Sequence, residues 1–401
     1  MVVANHESQI TNHWKWLVFL SAAEILTMLT FGTYSAALPV LRQQWALSAA
    51  QAGAIFAGQQ IGYTAAVLVL STLTDAAGVR MIYLLSAIWN AVFALLFAAF
   101  ADGFGSALAL RALGGMGLAG TYVPGMRLVV ETFAAHRRGA AMGVYIACFS
   151  LGTSLSLLVT GVLLHAGWRM AFGVTSLGPL LAAVAAWWVV RDAPRPPPAL
   201  RTAITGALRN LRALRFIAAY AAHNWELFGM RAWLPAFLTS LWVQRGMPLT
   251  SATARGATFS SLVLLGSGLS NAAGGWLSDR LGRRRMITVF LTASALCSAV
   301  IGWSPALGMP AVLTLALLYG LLVTADSSSI STAVAESATA ETLGATLAVQ
   351  SGLGFLVTAI SPSLFGAVLD ATGGIWGWAF LSLGIAAVLG TVAVATVSER
   401  R

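Results

Sequence analysis

Charge is what this chain has least of. Asp, Glu, Lys and Arg make up 9% of its 401 residues, against about 25% in soluble domains. So few charges cannot coat a water-facing surface, and much of the exterior must face lipid. Lysine is nearly absent: Lys15 stands alone among arginines. The net charge of +10 invites a nucleic-acid reading. The arginines, however, sit in gaps between apolar runs and build no single polar face, so nucleic acid is not an expected partner. The two cysteines, Cys148 and Cys297, each fall inside an apolar run and show neither metal-ligand spacing nor a disulfide framework. No GxxxxGK[ST] motif occurs, which argues against ATP-driven transport within this polypeptide. With no metal-ligand cluster and no nucleophile beside a base, neither an enzyme nor a cofactor is expected. No cleavable signal peptide is evident, because the first apolar run is longer than a typical signal core.

What the chain has is long apolar runs. A span needs about 20 apolar residues. Twelve such runs are expected near 14–39, 51–73, 81–101, 105–130, 139–164, 169–190, 214–243, 254–277, 286–304, 309–334, 343–368 and 375–396. The stretch 191–213 is polar, with Pro194, Pro196, Pro197, Pro198 and several arginines. It divides the chain into an N-terminal bundle (1–190), a basic linker (191–213) and a C-terminal bundle (214–401). With the N-terminus inside, inner segments hold sixteen basic residues and outer segments four: Arg42, Arg169, Arg245 and Arg255. The positive-inside rule then places both termini and the linker in the cytoplasm.

The halves repeat. Residues 275–285 read GWLSDRLGRRR and residues 71–81 read STLTDAAGVRM. Asp279, Gly282 and Arg284 lie over Asp75, Gly78 and Arg80 at one offset of 204, and Gly344 and Gly366 lie over Gly139 and Gly161 at 205. Matching hydropathy and loop chemistry in two halves mark a duplicated transporter.

At this point the chain resembles the major facilitator superfamily along nearly its whole length. In that family the loop motif runs Gly, any, Leu, Ala or Ser, Asp, Arg, any, Gly, Arg, Arg or Lys. Gly275, Leu277, Ser278, Asp279, Arg280, Gly282, Arg283 and Arg284 fit it closely. The first copy is degraded, with Ser71 for the Gly and Ala76 for the Arg. The resemblance implies an all-α integral membrane protein with twelve transmembrane helices in two pseudo-symmetric six-helix bundles. It implies that Asp75 faces the start of span eleven and Asp279 the start of span five, latching the cytoplasmic side. A carboxylate at a helix N-terminus has that rationale in the dipole and the free N–H groups. A further similarity is the Arg and Gly-rich run of span four, from Arg111 to Gly120, whose arginine the family associates with proton coupling. The Gly-Pro pair that drug–proton antiporters carry in span five is missing.

Ionisable residues within spans are functional candidates by default. Here they are Glu24 in span one, Arg111 and Arg127 in span four, His223, Glu226 and Arg231 in span seven, and Asp326 in span ten. Spans one, four, seven and ten line the cavity of the family. His223 and Glu226 share a helix face, and Glu226 lies roughly 18 Å along its span at ~1.5 Å per residue. A carboxylate withdrawn from water there is a reasonable proton carrier or one member of a static ion pair. Three arginines could hold an oxyanion, or neutralise Glu24, Glu226 and Asp326; the sequence leaves both open. Tyr34, Tyr122, Trp225 and Tyr319 are cavity-lining candidates, and equally packing groups. Pro124, Pro235 and Pro362 are expected to interrupt spans four, seven and eleven.

The expected protein is a monomeric secondary active transporter in the plasma (inner) membrane. It takes a small-molecule substrate by alternating access, with protons as coupling ion and a lean to organic or inorganic anions. The alternatives are drug or metabolite efflux by proton antiport and, more distantly, a non-transporting membrane sensor.

Overall fold

The computed structural model describes residues 2–190, 201–339 and 342–397. The Pro-rich part of the linker and the terminal arginines Arg400 and Arg401 lie outside the described residues. Among the described residues there is no strand, as a lipid environment demands when each backbone N–H and C=O must be satisfied within its own segment. In the first half the helices are α1 (Val2–Thr27), α2 (Thr33–Gln44), α3 (Ala49–Ala77), α4 (Val79–Phe100), α5 (Phe104–Thr132), α6 (Ala135–Leu163) and α7 (Trp168–Val189). In the second they are α8 (Arg201–Arg209), α9 (Leu211–Val243), α10 (Leu249–Leu281), α11 (Arg283–Ile301), α12 (Met309–Ala325), α13 (Ser327–Ser337), α14 (Leu343–Thr358), α15 (Ser361–Ala371) and α16 (Trp376–Ala395). Spans one, ten and eleven are each two helices end to end: α1 with α2, α12 with α13, and α14 with α15. The short α8 stands outside the twelve.

Eight of the twelve units are long and apolar enough by composition alone to cross a membrane. The other four, α3, α5, α9 and α10, are 29, 29, 33 and 33 residues long. At 1.5 Å per residue each exceeds a hydrocarbon core of about 30 Å. Their polar groups are turned inward: Gln59, Arg111, Glu226, Arg231 and Ser260 are all buried. The outer helices α4, α7, α11 and α16 instead expose Leu85, Leu181, Leu296 and Leu389, as lipid-facing helices do.

The interruptions differ from those expected. α5 and α9 run through Pro124 and Pro235 as continuous helices. A proline removes one hydrogen bond, and neighbouring groups can re-satisfy the freed carbonyls. Span eleven does break just before Pro362, which sits in the first turn of α15, where its missing N–H costs nothing. Span one breaks at the 3₁₀ turn Met28–Thr30 and span ten at Asp326, neither of which contains proline.

Two seams join the halves, α3 against α14–α15 and α6 against α10, and the repeat relates them. A Cβ on Gly366 would lie 2.1 Å from the Ala49 carbonyl oxygen, and one on Gly161 3.0 Å from that of Ala254. Both partners shift by 205 positions between these two contacts. The last contact rung obeys the same rule. Tyr63 and Phe355 have ring centroids 4.7 Å apart, and a Cβ on Gly268 would meet the Ser150 side chain at 3.6 Å. Beyond those rungs the seams part: a Cβ at Gly139, Gly143, Gly344 or Gly352 would meet nothing within 4 Å.

The apolar cores follow the seams. One cluster combines both halves, with Phe31, Tyr34, Phe56 and Phe97 packed with Phe228, Trp233, Phe237 and Phe380. Toward the face carrying the loop motifs, hereafter the basic face, the cores separate. One there contains only first-half residues such as Leu17, Tyr83 and Tyr145, the other only second-half residues such as Phe216, Leu291 and Val334. The molecule is joined at the face opposite the motifs and divided at the basic face.

Candidate functional site

A cavity of ≈ 110 Å³ lies between the halves where the seams part. Tyr122 of α5 and Phe149 and Ser150 of α6 wall one side; His223, Asn224, Phe228 and Arg231 of α9 and Asn271 of α10 wall the other. An aromatic plug backs it. Phe31 packs edge-on to Phe149 and Phe228 at 5.0 and 6.3 Å, and Phe228 to Phe355 at 6.3 Å. Such edge-to-face geometry suits the ring quadrupoles, and the rings come from both halves.

The charged groups do not pair as three arginines with three carboxylates. Arg111 is held by neutral groups inside the first bundle. It donates to Gln59 Oε1 at 2.5 Å and to the Thr30 carbonyl at 3.4 Å, with its guanidinium 5.3 Å from the Tyr34 ring centre. Arg127 pairs with Glu131 one turn away at 3.0 Å, both partly exposed. Glu24 accepts from the Tyr145 hydroxyl at 2.9 Å, and Glu226 from the Ser294 hydroxyl at 2.8 Å. His223 Nδ1 lies 2.8 Å from Asp326 Oδ1, both groups 1% exposed, though without hydrogen-bond alignment.

That leaves Arg231. It is buried at the cavity wall, over Phe149 and Phe228 at 5.3 and 5.6 Å. Its Nε has no hydrogen-bond partner among the described residues. A buried charge without an anionic partner is costly; the Arg111 Nε is likewise unpartnered, but of the two arginines only Arg231 borders this cavity.

Of the residues the sequence singled out, the structure thus brings Tyr122, His223 and Arg231 to one cavity, with Asp326 behind His223. Glu24, Arg111, Arg127 and Glu226 lie off the cavity. Tyr34 is buried with its hydroxyl on the Ala52 carbonyl at 2.9 Å, Tyr319 donates to Ser298 at 3.3 Å, and the Trp225 carbonyl accepts from Ser361. None of these three lines the cavity. Sequence reasoning missed Phe149, Asn224 and Asn271. Asn224 directly follows His223, and Asn271 follows Ser267 and Ser270 along one span; those were the available signals.

The loop motifs make local contacts. Gly78 and Gly282 take positive φ of 87° and 93°, which glycine alone adopts without strain. Arg80 donates to the Trp187 carbonyl and Arg284 to that of Ala395, each at 2.6 Å. Arg80 and Arg284 thereby each cap the last helix of their own bundle, where carbonyls lack intrahelical partners. Arg280 lies 3.9 Å over the Trp276 ring, and a Cβ on Gly275 would meet Ser328 Oγ at 2.8 Å. Asp279 pairs with Arg283, which also reaches Glu336 at 3.1 Å, all within the second half. The side chain of Asp75 lies outside the described residues.

The family model of the Major Facilitator Superfamily matches residues 20–257 and 249–401. The chain belongs to this superfamily. Its fold is the multi-pass, two-bundle membrane fold described above. It is similar to the hexuronate transporter of Bacillus subtilis, 25% identical over 94% of this chain and 93% of that protein. It is similar also to the 4-hydroxybenzoate transporter of Pseudomonas aeruginosa, 26% identical over 73% of this chain and 72% of that protein. Among solved structures, it superimposes with TM-score 0.78 on a bacterial homolog of the human lysosomal transporter Spinster, solved inward-facing and unoccupied. That likeness is 15% identical and covers 96% of this chain and 97% of the other.

Proposed function

We propose that this superfamily member is a secondary transporter of small organic anions, carboxylates above all, working by alternating access. Arg231 carries the reading: a buried guanidinium at the cavity wall with no carboxylate of its own. The names of the two relatives support it, since a hexuronate and a hydroxybenzoate are both carboxylates. Polar groups at the same cavity, Asn224, Asn271 and Ser150, suit the remaining hydroxyls of such ligands, and the aromatic walls suit their apolar faces. By charge asymmetry the basic face is cytoplasmic, in an inner plasma membrane. The geometry is then inward-open.

The coupling ion is a proton, and His223 with Asp326 is its site. This is the buried ionisable pair that touches the cavity wall, and it lies where span ten breaks between α12 and α13. Glu24 and Glu226, each hydrogen-bonded to a hydroxyl, are in reserve.

The test is a ligand panel on purified protein. A ligand that binds only the folded state raises stability by about 2.7 kcal/mol at 100 times its Kd. Glucuronate or 4-hydroxybenzoate should raise the unfolding temperature, and Arg231→Gln should abolish that rise. Stabilisation by lipophilic cations instead, lost in Glu24→Gln, would replace this reading with cation efflux. In proteoliposomes Asp326→Asn should stop proton-driven accumulation while sparing substrate counterflow. Retained accumulation would remove the pair from coupling.

A further inference from the structure

We propose that Asp370 is the latch of the gate at the face opposite the motifs, acting from the second half on the first turn of α3. An α-helix begins with unpaired N–H groups, and in α3 their partners come from two sources. Ser48 and Gln51 form a capping box: Gln51 N donates to Ser48 Oγ at 3.1 Å and Ser48 N to Gln51 Oε1 at 3.0 Å. The other two are taken across the seam. Ala49 N donates to Asp370 Oδ1 at 2.9 Å and Ala50 N to Asp370 Oδ2 at 2.8 Å. Arg42 Nη2 lies 3.7 Å from the same carboxylate, held in place by its Nε on the Leu47 carbonyl at 3.3 Å. The carboxylate therefore meets two N–H donors, the positive end of a helix dipole and a guanidinium, all from the other half.

The other seam lacks this device. The residue 205 positions before Asp370 is His165, and its counterpart helix α10 already begins at Leu249, ahead of the position equivalent to Ala49. A pocket of ≈ 840 Å³ lined by His165, Ala254 and Arg255 lies there instead. The latch is thus single. It stands beside a ≈ 490 Å³ depression between the halves, lined by Leu38, Arg42, Gln244 and Trp376. Parting α15 from α3 hands two N–H groups and one partly exposed carboxylate to water, and the capping box keeps α3 from fraying. The latch is a bond made to be broken.

This inference rests on the reading that the halves rock, and its test needs no substrate. In full-length protein with Cys148 and Cys297 replaced by serine, one reporter cysteine is placed at Ala52, fully buried under the latch. In a second version it is placed at Gly352, on the open side. An impermeant maleimide is added to one face of proteoliposomes at a time. Losing two charge-assisted hydrogen bonds, Asp370→Ala should speed labelling at Ala52→Cys about tenfold and slow it at Gly352→Cys. Asp370→Asn should fall between, because an amide oxygen still caps one N–H. Unchanged rates in both variants overturn the latch, and so does faster labelling at both sites, which is general loosening. If wild-type counterflow persists while both rates stay unchanged, the latch alone has failed. If wild type shows no counterflow with any carboxylate, the transport reading has failed while the labelling result stands.

Discussion

In the seam of α3 with α15, backbone presses on backbone: a Cβ on Gly53 would sit 2.1 Å from the Pro362 carbonyl oxygen, and one on Gly366 equally close to that of Ala49. In the seam of α6 with α10, the equivalent Gly161 leaves 3.0 Å, and the join is made by Ser154 donating to the Ser261 carbonyl at 2.7 Å. The register is the same, 205 residues apart, but the chemistry is not. Duplication conserved which residues face each other, while side-chain identity decided how tightly each seam holds. A tight seam with a water-breakable clasp and a looser seam with a serine hydrogen bond should respond differently to the same perturbation.

The largest expected difference comes from adding one methyl to each seam. Gly366→Ala pushes a Cβ into rigid backbone and should cost about 1–3 kcal/mol, the usual range for overpacking. In Gly161→Ala the neighbours must yield only a few tenths of an ångström, and the helix gains about 1 kcal/mol of propensity over glycine. That variant should be near neutral. Unfolding temperatures of the two proteins in one detergent check this, and equal shifts would break the comparison.

The sequence already placed Gly161 over Gly366 and counted the spans, because repeats and apolar runs are local patterns read along the chain. It did not show which charges meet. That depends on the rotation of each helix about its axis, and the partners are far apart in sequence: Tyr145 is 121 residues from Glu24, and Ser294 is 68 from Glu226. The balance of three arginines and three carboxylates was therefore undecidable from the sequence; in the structure Arg111, Glu24 and Glu226 have neutral partners, Arg127 pairs with Glu131, and Asp326 lies against His223. Asp370 left no signal at all. In the run LDATGG it reads as an acidic residue at a helix end, and its partners are two backbone N–H groups more than 300 residues away. The capping physics expected of Asp279 at the basic face occurs at the opposite face, on a residue outside the repeat motif.

A middle-sized effect should come from Ser154→Ala. It removes a buried hydrogen bond from the second seam and leaves the Ser261 carbonyl with one partner fewer. The expected cost is about 1 kcal/mol. Because this seam holds no clasp, reporter labelling at Ala52→Cys should stay at the wild-type rate. Faster labelling there would mean that the two seams open as one unit, and the difference between them would be structural only.

The smallest effect is expected at the motif carboxylate. Asp279 is 62% exposed and paired with Arg283, which keeps Glu336 as a second partner. Exposed ion pairs contribute about 0–1 kcal/mol, so Asp279→Asn should leave the unfolding temperature nearly unchanged. The divided cores at the basic face give the reason: a latch has nothing to hold while the halves stand apart there. On the proposed alternating-access reading, any role of Asp279 in closing that face belongs to a second conformation, in which the start of α6 would have to approach. Labelling at Gly352→Cys should accordingly be the same in Asp279→Asn as in wild type when no substrate is present. A faster rate would show that Asp279 already restrains the basic face, and that the face is less open at rest than its separated cores imply.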